Sequence, residues 1–173
     1  MTRWAATAMA VVITVGVGSA GQAAADNGRQ RNRIDGQIES DSQTVLSSVC
    51  DPAGHCVIST SAVNQWIGGL DGATESRSVI ALDQATGQAS IQTFELFTGT
   101  VEGCGQGSFT MSAHITRLLS ATGTGRLTVV EGSGSGQLQG ISGRGTFAVT
   151  PTGPASATST FSLDLRCSPA KQL

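Results

Sequence analysis

Between Leu127 and Phe147 the chain reads Leu-Thr-Val-Val-Glu-Gly-Ser-Gly-Ser-Gly-Gln-Leu-Gln-Gly-Ile-Ser-Gly-Arg-Gly-Thr-Phe. Six glycines in 21 residues rule out a stable helix here, because glycine is about 1 kcal/mol poorer than alanine at each helical position. Alternating apolar residues enter and leave the stretch, so it is not a linker either. It reads as a strand, a tight corner with one short turn, and a second strand. Such a corner needs positive φ and close backbone approach, which glycine supplies without a steric penalty.

The rest of the chain agrees. No window keeps apolar residues at helical spacing over three turns, and glycines recur throughout. Strand patterns are expected at 45–50, 56–63, 76–83, 89–102, 108–118, 125–130, 145–150 and 157–167. The clearest is Ser108 to Leu118, where Phe109, Met111, Ala113 and Ile115 alternate with Thr110, Ser112, His114 and Thr116. Eight short antiparallel strands with glycine turns suit a barrel or a sandwich. The scarcity of aromatic residues, seven in 173 and no tyrosine, favours a small barrel filled by Val, Ile, Leu, Ala and Thr.

The corner carries a resemblance. Val129-Val130, Gly132, Gly134-Ser135-Gly136, Leu138, Gly140-Ile141, Gly143 and Gly145-Thr146-Phe147 resemble the corner of the allene oxide cyclase and dirigent (calycin-like) barrels. Phe97-Thr98-Gly99-Thr100-Val101-Glu102-Gly103, shortly before Gly107-Ser108-Phe109, is similar to a phrase of the bacterial group labelled DUF3224. The likeness covers residues 94–150. It implies an all-β, single eight-stranded antiparallel barrel and no agreed activity. In the plant cyclases a buried glutamate with polar partners steers a ring closure, but no catalytic residue carries over by motif.

The N-terminus predicts export. Arg3, the apolar run Ala5 to Ala20 and Ala23-Ala24-Ala25 form a signal peptide over residues 1–25, with cleavage after Ala25. The apolar core is shorter than the ~20 residues that span a bilayer, so no stable membrane insertion is expected after cleavage. Residues 26–43 read as a flexible arm and 44–168 as the barrel domain. Within the arm, Arg29, Arg31 and Arg33 read as solvated charges, with polyanion binding the alternative. The mature chain would carry 9 basic and 12 acidic residues, which gives no reason to expect nucleic acid as a partner.

Four cysteines agree with a secreted location. Three connectivities are possible for Cys50, Cys56, Cys104 and Cys167. The turn chemistry of Asp51-Pro52-Ala53-Gly54-His55 favours Cys50–Cys56, which leaves Cys104–Cys167. A metal site from Cys50, His55 and Cys56 lacks the paired spacing of structural zinc, and neither a metal nor another cofactor is expected.

Chemistry-bearing residues are few. Glu95, Glu102 and His114 are the candidates for acid–base work; seven residues separate the two glutamates, so they face opposite ways. Trp66 is expected near a barrel mouth, as a ligand platform or a plug. Arg126 and Arg144 flank the corner and could grip a carboxylate, with Glu131 or solvent as the ordinary partner. The leading expectation is a secreted, disulfide-stabilised barrel binding a small apolar or amphipathic molecule. The alternatives are a cyclase or isomerase acting inside the barrel, and a non-catalytic envelope or extracellular interaction protein, with a homo-oligomer open in each case.

Overall fold

The computed structural model describes residues 25–26, 29–153 and 156–167. The expected leader lies outside these residues save for Ala25. Nine strands follow in chain order: β1 (Ala25–Asp26), β2 (Arg29–Cys50), β3 (His55–Gly68), β4 (Leu70–Asp83), β5 (Gln88–Val101), β6 (Gly105–Leu118), β7 (Gly123–Val129), β8 (Ser142–Gly153) and β9 (Ser156–Cys167). Each pairs antiparallel with the next, and β2 also pairs with β9. That last pairing closes β2–β9 into an eight-stranded barrel and removes the sheet edges along the paired lengths.

Residues 29–43, expected as an arm, are instead the first two-thirds of a wall strand. Arg31, Arg33, Asp35, Gln37 and Glu39 point outward, while Ile34 and Ile38 supply the inward face. Gly36 between them has no room for a side chain: a Cβ there would lie 2.1 Å from the Ile67 carbonyl oxygen and 2.6 Å from the Phe161 ring. Two apolar residues and a glycine are a weak inward pattern, and pairing on both sides holds the strand regardless.

The barrel has two unlike ends. At one end β3 runs into β4, β5 into β6, and β7 into β8. Here Ile34, Leu70, Val101, Leu138, Ile141 and Leu165 pack with the Cys104–Cys167 disulfide. The glycine corner forms the lid, with a one-turn 3-10 helix at Gly136–Leu138 that drives Leu138 into the core. Gly132, Gly136 and Gly140 all hold positive φ, as the corner requires. Above this plug lies an aromatic layer in which Trp66 meets Phe161 at 4.7 Å and Phe97 meets Phe109 at 5.1 Å between centroids.

Toward the other end the wall opens. β2 leaves β9 after Ile38, and β6 leaves β7 after His114. The far halves of β2 to β6 therefore continue past the closed ring as a five-stranded tongue. Two register shifts in β2, between Ser40 and Ser42 and between Val45 and Ser47, bend the tongue's free edge. The Cys50–Cys56 disulfide joins directly opposed residues at its tip.

Candidate binding cavity

The open end leads into a cavity of about 460 Å3. Its lining is mixed, with Ile38, Ala113, Leu127, Phe147, Val149 and Pro151 among the apolar side chains. Asn64 and Glu95 stand at its inner end, just above the aromatic layer, and Ser40, Gln43 and Arg117 border it on other sides.

Strand register brings the polar residues together. Ser40 faces Asn64 across β2 and β3, Asn64 faces Thr74 across β3 and β4, and Glu95 points inward from β5 beside them. Thr74 is the hub. Its hydroxyl donates to Glu95 Oε2 at 3.0 Å and accepts from Trp66 Nε1 at 3.2 Å and Asn64 Nδ2 at 3.4 Å. Ser40 Oγ in turn donates to Asn64 Oδ1 at 2.6 Å. Buried polar groups need such partners, because an unmet one costs about 1–3 kcal/mol.

Glu95 is only 8% exposed, and burial raises its pKa above the ordinary carboxylate range. Hydrogen bonds from Thr74, Trp66 and Asn64 favour the charged form and pull it partway back. The site therefore holds a carboxyl group that is fixed in place and readier than usual to keep its proton.

The wall above the carboxyl is layered. Moving outward from Glu95, Thr60, Ser78 and Thr93 form a hydroxyl belt, with Ser78 and Thr93 oxygens 2.8 Å apart. Next comes a row of four isoleucines, Ile58, Ile80, Ile91 and Ile115, each directly opposite the next across β3 to β6. The inner end is thus acidic and polar, and the outer wall of the tongue's inner face is apolar.

The other sequence candidates lie elsewhere. Glu102 is exposed in the β5–β6 turn at the plugged end. His114 points out of the barrel, with Nε2 3.3 Å from Ser90 Oγ. Trp66 is 1% exposed and stands two residues from the end of β3 on the plugged side, where it packs in the aromatic layer above the plug. Its strand continues through polar Asn64-Gln65 because Asn64 is satisfied inside. Arg126 and Arg144 are exposed on the outer wall and do not reach the cavity. The residues missed by sequence reading are Thr74, Asn64 and Ser40, together with the isoleucine row. Among the described residues, no three His, Cys, Asp or Glu side chains converge as metal ligands, and no helix is long and apolar enough to cross a membrane.

Comparison with known proteins places this geometry in context. Residues 37–161 match the family described as "Protein of unknown function (DUF3224)". A solved structure of a DUF3224 protein of unknown function from Shewanella oneidensis MR-1 is similar, with 20% identity and a TM-score of 0.64 over 81% of this chain and 99% of that one. At that identity the likeness speaks to the fold alone. No curated protein matches the chain.

Proposed function

This chain belongs to the DUF3224 family, and we propose that it binds a small amphipathic molecule in the open end of its barrel, polar end first. The observation that carries this reading is the cavity of about 460 Å3, with Glu95 at its inner end and both apolar and polar side chains along its sides. Small-molecule sites are concave, about 300–1,000 Å3, and mostly apolar with a few placed polar groups. The plugged end excludes passage through the barrel, so a ligand enters and leaves by one mouth. Export forms part of the same proposal, supported by the apolar run Ala5 to Ala20 and by two disulfides, which persist in oxidising compartments.

Native mass spectrometry of the protein purified from its own host, before and after denaturation, tests the reading. A mass excess lost on denaturation is expected. In parallel, the solvatochromic dye Nile red should bind the ligand-free wild type and not Ala113→Trp, which fills the cavity, with circular dichroism verifying the fold of both. No mass excess together with no dye uptake would remove the proposal.

One observation favours a second, catalytic form of this reading. A carboxyl group held in place with a raised pKa is suited to general acid–base work. The corner's likeness to allene oxide cyclase and dirigent barrels supports a cyclisation or isomerisation as the reaction class. Glu95→Gln should then abolish turnover of the host-derived ligand while leaving its binding in place. Full turnover by Glu95→Gln would leave binding alone.

A further inference from the structure

The outer wall at β2, β9 and β8 carries a feature that the cavity does not use. Arg31 and Arg166 are direct cross-strand partners, as are Ser142 and Arg166. One row along, Arg33 faces Asp164, and Asp164 faces Arg144. Directly opposed residues share a face, so all four arginines project outward together. They line a groove of about 780 Å3 that opens where β7 turns away into the glycine corner.

Two arguments separate this patch from an ordinary solvated face. The first is segregation. The chain is acidic overall, with 10 basic and 12 acidic residues, yet four of the basic residues and only two acidic ones, Glu131 and Asp164, line this groove. The second is pairing. Like charges directly opposite one another destabilise a sheet, and Arg31 opposite Arg166 is such a pair. Asp164 lies between Arg33 and Arg144 in register, but no ion pair or side-chain hydrogen bond of Arg33, Arg144 or Arg166 forms among the described residues. Four arginines against Glu131 and Asp164 leave the groove two positive charges in excess, which an anion can offset.

We infer that this groove is a binding face for a linear polyanion bearing repeated phosphate or sulfate groups. Strand geometry sets the spacing. Arg31 and Arg33 are about 6.6 Å apart along β2, and Arg33 and Arg144 are about 10 Å apart across two strand intervals. Successive charged groups on a chain match that spread without the long side chains having to converge on one point. The guanidinium fork pairs with such oxyanions through two parallel hydrogen bonds. No aromatic side chain lines the groove, so it lacks the base-stacking platform of single-stranded nucleic-acid sites.

Inorganic polyphosphate and heparin, titrated into the full protein from low to high salt, distinguish phosphate from sulfate. Binding of at least one is expected, with log Kobs falling against log salt at a slope on the order of −3. That slope corresponds to four contacts at the value of about −0.7 each for flexible single strands. Arg144→Gln should reduce the magnitude of the slope by about 0.7 and weaken binding severalfold, while Arg77→Gln, the same charge change on β4, should leave both nearly unchanged. Asp164→Asn should tighten binding, a gain that misfolding cannot produce. Failure of both polymers to bind at low salt would overturn the inference. So would equal effects of Arg77→Gln and Arg144→Gln, no gain from Asp164→Asn, or tighter binding of single-stranded DNA of equal charge.

Discussion

At the scale of single residues, Glu95 makes stability depend on pH in an unusual direction. Burial raises its folded pKa above the ordinary glutamate value, so the native state holds the proton more tightly than the unfolded chain. Stability from this group is fully present below the unfolded pKa and is lost as pH rises through the folded one. Glu95→Gln has no charge to bury. Its melting temperature relative to wild type should therefore be higher at pH 8 than at pH 4, measured by thermal unfolding at both. An equal difference at the two pH values would show that the carboxyl is not desolvated. Thr74→Val probes the same cluster: it deletes the donor to Glu95 and leaves Trp66 Nε1 and Asn64 Nδ2 without their shared acceptor. A loss of about 1–3 kcal/mol in urea unfolding is expected.

At the scale of elements, what could be read from sequence followed how each strand is buried. β5 and β6, expected at 89–102 and 108–118, run Gln88–Val101 and Gly105–Leu118 because their inward residues alternate cleanly. β4 was expected to start at Ser76 but begins at Leu70, since Gly68-Gly69-Leu-Asp-Gly72 looks like a loop when its buried leucine is unknown. β2 is not legible over its first two-thirds because its charges face solvent and only Ile34 and Ile38 mark its inner side. The polar cluster was illegible for a related reason: Asn64, Thr74 and Glu95 are far apart in sequence and meet only through register. Glu95 itself could be named as a candidate, but its partners could not. Both disulfides follow the pairing that the turn at 51–55 favours. Their contributions should differ. Separations of 6 and 63 residues correspond in the loop-entropy model to about 2 and 4 kcal/mol. The double variant Cys104→Ala/Cys167→Ala should thus lower the denaturation midpoint about twice as far as Cys50→Ala/Cys56→Ala, and equal losses would show that loop entropy does not set the ranking.

Across the whole molecule, the two ends of the barrel do different physical work, and matched substitutions separate them. Val101 is 1% exposed inside the plugged end, among Leu70, Leu138 and Ile141. Val149 lines the open cavity and is already partly exposed. The same deletion, valine to alanine, removes the same atoms at both places. At Val101 it takes about 1.6 kcal/mol of burial and adds a void that close-packed neighbours cannot fill, for a total of about 2–3 kcal/mol. At Val149 the removed methyl groups already bordered empty space, so less than about 1 kcal/mol should be lost. Denaturant unfolding of the ligand-free protein measures both. A bound ligand should reverse the contrast, because a molecule in the cavity touches Val149 and not Val101. Ligand-induced stabilisation should then shrink in Val149→Ala and stay intact in Val101→Ala. If both variants lost equal stability and responded equally to ligand, the cavity would be packed like the rest of the core, and the division into a structural end and a binding end would not hold.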